Sequence, residues 1–186
     1  QGQLKLSAVS TTKYFVPLII GPFCQKYPGV ELSLRFTNHE RILQYLTDNQ
    51  DDLYILSQLP STIDVAYHQI LENPLVAIAP SDHPLAKETK IPLKRLAEEP
   101  FIMREPGSGT RQALEELFHK HQAELKARLE LGSNEAIKQA ILGGLGVSVL
   151  SKHTLTLEKD TGLFAILDVE DLPIQRNWYA IYPVGK

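Results

Sequence analysis

Two hydrophobic periods alternate along the N-terminal third of the sequence, and this alternation constrains the fold more than any other feature. Apolar and polar residues alternate over Leu4–Ala8 and Val30–Phe36, as they do in half-buried strands. A helix-like pattern follows each segment, over residues 13–27 and near Ile42–Leu46, and Leu53–Leu56 is an apolar third strand. The order strand, helix, strand, helix, strand predicts a parallel sheet with right-handed crossovers.

The same alternation begins again at Leu75, and it predicts a second α/β unit. The expected strands lie at residues 75–79, 101–103, 129–131 and 147–150, and the expected helices begin at Gly107–Thr110 and at Asn134. Two such units indicate two Rossmann-like lobes joined by a two-strand hinge. The expected bounds are residues 1–72 and 163–186 for lobe I and residues 73–162 for lobe II.

Composition limits the partners that such a chain can have. Nineteen basic residues are scattered among 22 acidic ones, the net charge is −3 and the pI is about 6.1, whereas domains that grip nucleic acid alone are normally basic. Cys24 is the only cysteine, which excludes an internal disulfide and fits a reducing compartment such as the cytoplasm. No stretch approaches the roughly 20 apolar residues of a membrane span.

Hydroxyl-bearing residues stand at three places where a strand is expected to end and a helix to begin. They are Ser10–Thr12, Ser108–Thr110 and Ser133–Asn134. Capping alone explains any one of them, because such side chains accept hydrogen bonds from the free N–H groups of a first helical turn. The same helix starts attract anions, and ligands of open α/β sheets bind beyond the carboxyl ends of the strands. Three such starts in two lobes therefore favour a shared anion-binding cleft.

The segment Arg104–Arg111 adds glycines and arginines to this pattern. Glycine lets the backbone approach a ligand closely, and arginine offers forked donors to carboxylates and phosphates. The alternative is that the glycines only shape a turn and that Arg104 pairs with Glu105 or another acid. Asn38 and His39 follow another expected strand and are weaker candidates for the cleft. A lone loop histidine such as His39 is more often solvated or a simple hydrogen-bond donor.

The sequence does not point to catalysis. No Gly-Lys-Ser/Thr follows the glycines after Arg104, which argues against nucleotide hydrolysis. His119 and His121 are two residues apart on an expected helix, so they point to different faces and do not make a metal site. Gly143–Gly146 follows a helix rather than a strand, which argues against a dinucleotide fingerprint. We expect no catalytic residue, no metal and no cofactor.

In this order, several short motifs resemble the effector-binding region of LysR-type transcriptional regulators. They are Leu4–Ala8, the pattern Pro17…Phe23…Tyr27-Pro28…Val30, Asp52–Ile55, His83–Ala86, Phe101-Ile102 and Gly144–Val147. Arg104–Arg111 and Leu131–Lys138 are similar to the branch that controls carbon fixation, the CbbR or RbcR type. Ser7–Gly21 and Asp51–Ser57 are most similar to cyanobacterial members that activate bicarbonate-transport genes.

The resemblance implies two lobes in the manner of type 2 periplasmic binding proteins, with an effector cleft at the hinge. It implies dimers inside a tetrameric, non-membrane regulator that contacts DNA only through a winged helix-turn-helix missing from this chain. Effectors of this branch include ribulose 1,5-bisphosphate, 2-phosphoglycolate and 2-oxoglutarate. The effector-binding residues carried over are Ser10, Thr11, Thr12, Asn38, Arg104, Ser108, Thr110, Arg111, Ser133 and Asn134. Tyr54 stands where many relatives have a smaller apolar residue, which leaves the local cleft shape open.

Three functions follow from these observations. The first is an effector-sensing domain that controls genes of carbon fixation or bicarbonate transport. The alternative is a solute-binding protein of a transporter, which the short length and the absence of a signal pattern at the first residues disfavour. The third is an enzyme acting on a phosphorylated metabolite, which the lack of a convincing base or metal cluster disfavours.

Overall fold

The computed structural model describes residues 2–185, and the chain forms two compact units. One unit runs to Asn73 and resumes at Arg176, and the other is Pro74–Gln175. The return therefore comes at residue 176, and the expected bound at residue 163 is wrong. The reason is that residues 164–167 form a strand that pairs inside the second unit, with Leu167 opposite Ala77.

The elements are numbered in chain order. The first unit contains β1 (Gly2–Val9), a 3-10 helix (Ser10–Tyr14), α1 (Val16–Lys26), β2 (Val30–Thr37), α2 (His39–Thr47), β3 (Leu53–Leu56), β4 (Val65–Glu72) and the last strand, β10 (Asn177–Pro183). The second contains β5 (Leu75–Pro80), a 3-10 helix (Pro84–Lys87), α3 (Leu93–Ala97), β6 (Phe101–Arg104), α4 (Gly109–Lys120), β7 (Ala127–Leu131), α5 (Asn134–Leu142), β8 (Ser148–Ser151), a 3-10 helix (Lys152–Leu155) and β9 (Phe164–Leu167). Within residues 2–185 we find no helix with the length and apolar content to cross a bilayer.

The first unit is built on a five-stranded sheet in the order β2-β1-β3-β10-β4. As predicted, β1 runs parallel to β2 and to β3, while β10 is antiparallel to both β3 and β4. Strand β4 was not expected from the sequence, because its burial does not alternate. Since β4 runs in the same direction as β1, β2 and β3, the carboxyl ends of four strands and the start of β10 share one edge of the sheet.

The segment after β1 differs from its prediction. One helix was expected over residues 13–27, but the chain forms a 3-10 helix and then α1, which begins at Val16. Pro17 lies in the first turn of α1, where its missing N–H removes no helical hydrogen bond. Pro22 lies inside α1. Ser10–Thr12 therefore occupy the 3-10 turn and do not cap an α-helix.

The second unit contains two small sheets. Strand β5 lies between β8 and β9 and is antiparallel to both, and β6 is parallel to β7. Phe101 forms a parallel bridge with Val147, which joins β6 to the segment before β8. Gly146 makes this approach possible, because its φ is +155° and a Cβ there would clash with the carbonyl of Pro100.

A buried charge joins the strands of the first unit. Asp51, 4% exposed, accepts hydrogen bonds from the Ser7 hydroxyl of β1 at 2.5 Å and from the Arg35 guanidinium of β2 at 2.6 Å. Its own N–H donates to the Tyr54 hydroxyl, which donates to the carbonyl of Tyr45 at 3.0 Å. Tyr54 is fully buried and anchors this network.

We expect Asp51→Ala to destabilise the protein by about 2–3 kcal/mol, because it leaves the partly buried Arg35 and the buried Ser7 without their shared acceptor. Urea denaturation measures the change in the free energy of unfolding. Asp64→Ala, which removes an exposed carboxylate from the same unit, is the control and should change this free energy by less than about 0.5 kcal/mol. Equal effects of the two substitutions would show that the network adds nothing to stability.

Candidate functional site

Two helix starts lie side by side in the second unit. Parallel pairing puts Arg104, the last residue of β6, opposite Leu131, the last residue of β7. Both strands run on through a short loop into a helix, α4 or α5. Ser108 Oγ accepts from the N–H of Arg111, and Ser133 Oγ accepts from the N–H of Ala136, both at 3.3 Å. These serines are therefore helix caps, and their helices are long enough to present a positive N-terminal end.

Arg104 joins the two helix starts. Its side chain is 5% exposed, and its Nη1 donates to Asn134 Oδ1, in the first turn of α5, at 2.8 Å. Its Nε and Nη2 donate to the Glu105 carboxylate at 2.8 and 3.3 Å. The pairing of Arg104 with Glu105, which the sequence left open as an alternative, is thus present in the structure.

Arg111 is also engaged by acidic side chains. It donates to Glu115 at 2.6 Å, to Glu130 at 2.7 Å and to the carbonyl of Arg104 at 2.9 Å. The hydrogen bond to Glu130, followed by that to Glu115, raises the pKa of Arg111 above its ordinary value. The positive character of this site therefore rests on the two helix starts more than on the side chains of these two arginines.

The candidate residues of the first unit also gather at the ends of neighbouring strands. Val9 and Thr37 are paired at the ends of β1 and β2, and the Ser10 hydroxyl donates to the carbonyl of Thr37 at 3.2 Å. Asn38 Oδ1 caps α2 by accepting from the N–H of Arg41 at 3.0 Å. Thr11 and Thr12 are buried, and Thr12 Oγ1 donates back to the carbonyl of Val9.

The structure thus brings the ten candidate residues into two sets, one in each unit. Ser10, Thr11, Thr12 and Asn38 form the set of the first unit, and Arg104, Ser108, Thr110, Arg111, Ser133 and Asn134 form that of the second. In both sets the polar residues follow the carboxyl ends of adjacent parallel strands, which is where α/β proteins bind ligands. Their role in binding stays a prediction.

Sequence reasoning missed a buried lysine behind one of these helix starts. Lys138 of α5 is 2% exposed, and its Nζ donates to the carbonyl of Thr154 at 2.7 Å and to Glu158 at 2.8 Å. It also lies 3.0 Å from Glu135 in the first turn of α5. Lys138 therefore ties α5 to the 3-10 helix at Lys152–Leu155. No local signal in the sequence identifies it, because its partners Thr154 and Glu158 lie 16 and 20 residues further along the chain.

His39 was also misjudged. It was expected in solvent, but it is the first residue of α2, only 9% of it is exposed, and its Nδ1 is buried without a hydrogen-bond partner. Burial disfavours the charged imidazolium, and Arg176 adds a like charge, so the pKa of His39 lies below its ordinary value of 6.5.

Comparison with known proteins gives a consistent result over the full chain. Residues 1–186 match the family described as the LysR substrate binding domain. The HTH-type transcriptional activator CmpR of Synechocystis sp. is 51% identical over the whole of this chain, which covers 61% of CmpR. A RuBisCO operon transcriptional regulator of Acidithiobacillus ferrooxidans is also 51% identical, with 60% of its length covered. The chain therefore spans about three fifths of these relatives.

Solved structures show the same relationship. The regulatory domain of Synechocystis PCC6803 CcmR, in complex with 2-PG, superposes with a TM-score of 0.96 and is 54% identical, covering 100% of this chain and 89% of that one. The effector binding domain of QuiR in complex with shikimate has a TM-score of 0.85 at 20% identity, again covering 100% of this chain and 89% of the other. The second match shows the shared fold only.

The lowered pKa of His39 predicts a pH-dependent stability. As the pH falls below 6.5, His39 takes up a proton in the unfolded chain before it does so in the folded unit. The free energy of unfolding is therefore highest above pH 6.5 and decreases as the pH falls below this value. We expect the wild type to lose more free energy of unfolding between about pH 7.5 and pH 5.5 than His39→Asn does. Urea denaturation at each pH measures the loss.

The matched control is His68→Asn, which replaces an exposed histidine of the same unit and should keep the pH dependence of the wild type. Identical pH dependences of wild type and His39→Asn would contradict the prediction.

Proposed function

The chain belongs to the family of LysR substrate-binding domains, and from this premise we propose that it senses a small anionic metabolite. In the proposal, binding of this metabolite controls transcription of genes for carbon fixation or bicarbonate transport. The observation that carries the proposal is the pair of adjacent helix starts at Ser108 and Ser133, tied together by the buried Arg104. The positive ends of two helix dipoles lie beside each other there, which is an arrangement that favours phosphate and carboxylate groups.

The proposed effector is a phosphorylated or dicarboxylate compound such as 2-phosphoglycolate, ribulose 1,5-bisphosphate or 2-oxoglutarate. The related CcmR regulatory domain has been solved with 2-PG, which supports the phosphorylated class. We also propose that Ser10, Thr11, Thr12 and Asn38 of the first unit bind the effector. The family match disfavours the transporter alternative, because relatives of this similarity are transcriptional regulators rather than solute-binding proteins or enzymes.

The proposed signal is a shift between two states of the regulator. A ligand shifts such an equilibrium only by as much as its affinity differs between the states. In the whole cytoplasmic protein, the shift would change how subunits assemble and hence how the DNA-binding parts are spaced. DNA contact belongs, in this proposal, to the part of the relatives that this chain does not span.

The first unit has a surface suited to self-association. Leu18 and Ile19 of α1 are 75% and 51% exposed, and the rings of Phe23 and Tyr27 lie against each other near the end of the same helix. Cys24 on the same helix is half-buried. In the same unit, β2 is an edge strand of the sheet. Exposed apolar helix residues and an open sheet edge are both typical of subunit interfaces, so we propose that a second copy of this chain covers α1 in a dimer that forms part of a tetrameric regulator.

The anion site is tested by removing its capping hydroxyl. We expect Ser108→Ala to weaken binding of 2-phosphoglycolate by about tenfold, and Thr110→Ala to weaken it less, while both proteins stay folded, because a lost cap costs only about 1 kcal/mol. Titration calorimetry measures the affinity, and Thr156→Ala, which removes an exposed hydroxyl of the same unit, is the control. Unchanged affinity in both Ser108→Ala and Thr110→Ala would count against the site.

The self-association surface is tested separately. We expect the double variant Leu18→Glu and Ile19→Glu to be monomeric at concentrations where the wild type is dimeric, since two buried carboxylates would be unpaired in the interface. Sedimentation equilibrium measures the mass. The control introduces one glutamate at Leu157, which is also exposed but lies in the second unit. A wild type that is monomeric at every concentration would exclude a dimer of this domain alone.

A further inference from the structure

Unpartnered polar atoms concentrate at one end of the sheet in the first unit. Within the described part of the chain, four buried side-chain nitrogen or oxygen atoms have no hydrogen-bond partner, and three of them are His39 Nδ1, Asn73 Oδ1 and Trp178 Nε1. Buried polar groups are nearly always hydrogen-bonded in native proteins, so three in one region need an explanation. The fourth, Glu158 Oε2, belongs to the second unit and to a carboxylate already engaged by Lys138.

The strand register puts two of these atoms on the same face of the sheet. Trp178 of β10 is opposite Leu71 of β4. Two residues after Leu71, Asn73 is opposite Arg176 in the same register, and its N–H donates to the carbonyl of Arg176 at 2.6 Å. Trp178 and Asn73 are therefore diagonal neighbours on one face of the sheet. They are 3% and 2% exposed, and they do not bond to each other.

The same end of the sheet carries the candidate effector residues of the first unit. The ring of Phe15, which directly follows the 3-10 helix of Ser10–Tyr14, lies 5.9 Å from the ring of Trp178. Arg176, which is bonded to Asn73, acts electrostatically on His39, the neighbour of Asn38. These contacts link Trp178 and Asn73 to both groups of candidate residues in this unit.

The chemistry of the two atoms defines the group that satisfies both. The indole N–H of Trp178 only donates, and Asn73 Oδ1 only accepts. A carboxylate or phosphate oxygen satisfies the first atom but not the second, whereas a hydroxyl group accepts from the indole and donates to the amide oxygen. We propose that Trp178 and Asn73 form a specificity subsite for a hydroxyl group of the effector. This inference rests on the proposed function, and it favours anions that carry a free hydroxyl over those, such as 2-phosphoglycolate, that have none.

The test uses two probes that differ by one hydroxyl group. These are 3-phosphoglycerate and 3-(phosphonooxy)propanoate, which match in charge and length, and 2-phosphoglycolate serves as the reference anion. We expect the wild type to bind 3-phosphoglycerate at least about tenfold more tightly than its deoxy analogue, because a site with buried polar groups rejects a ligand that leaves them unpaired. Titration calorimetry measures the ratio of the two affinities.

The variants Trp178→Phe and Asn73→Ala each remove one of the two atoms. We expect the affinity ratio to fall towards 1 in both, with the affinity for 2-phosphoglycolate unchanged within about twofold, which general damage to the fold would not produce. If Trp178→Phe does not fold, the affinity ratio of Asn73→Ala alone tests the subsite. Trp178 is the only tryptophan of the chain, so a longer-wavelength shift of its emission with 3-phosphoglycerate, and none with the analogue, gives a second readout.

Each possible result is informative. Equal wild-type affinity for the two probes overturns the subsite and leaves the proposed function standing, provided that 2-phosphoglycolate binds. Absence of binding by all three compounds overturns the proposed function, and the subsite falls with it. A crystal structure with 3-phosphoglycerate in which a water molecule, and not the ligand hydroxyl, bridges Trp178 and Asn73 also overturns the subsite.

Discussion

The hydrogen bond between Arg104 and Asn134 is the contact on which the candidate anion site depends. A guanidinium that is 5% exposed is stable only if its donors are satisfied, and Arg104 meets this requirement with Glu105 on one side and the start of α5 on the other. The buried charge therefore fixes the start of α5 beside the end of β6. Together with the serine caps, it fixes the positions of the first turns of the two helices.

This arrangement assigns different tasks to charge and to dipole. Both arginines of the segment are paired with acidic side chains, so they define geometry and leave the attraction of an anion to the helix starts. Fixed dipoles lose little entropy when a ligand binds, which makes them suited to a sensor of metabolites. Behind them, Lys138 connects α5 to the 3-10 helix at Lys152–Leu155, so a displacement of the helix start has a direct structural route into the rest of the second unit.

The sequence alone was sufficient to predict those elements whose structure depends on residues close together in the chain. The first three strands, the caps Ser108 and Ser133 and the helix from Asn134 follow from apolar periods and from the hydrogen-bonding habits of short polar side chains. Tertiary context decided the rest. Strand β4 has no alternation to detect, and β9 joined the second unit because it pairs with β5. The burial of Asp51, His39 and Lys138 depends on partners that are distant in sequence, so no local sequence pattern indicates that these side chains are buried.

The two units contrast in how their polar groups are satisfied, and this contrast bears on selectivity. In the second unit the caps and arginines already have partners, so a site there accepts many anions and distinguishes weakly among them. In the first unit, buried Trp178 and Asn73 each keep an unpaired atom, and a ligand that fails to pair them leaves that free-energy penalty in place. Discrimination among chemically similar metabolites therefore has its physical source in the unsatisfied groups, whereas affinity for negative charge has its source in the satisfied ones.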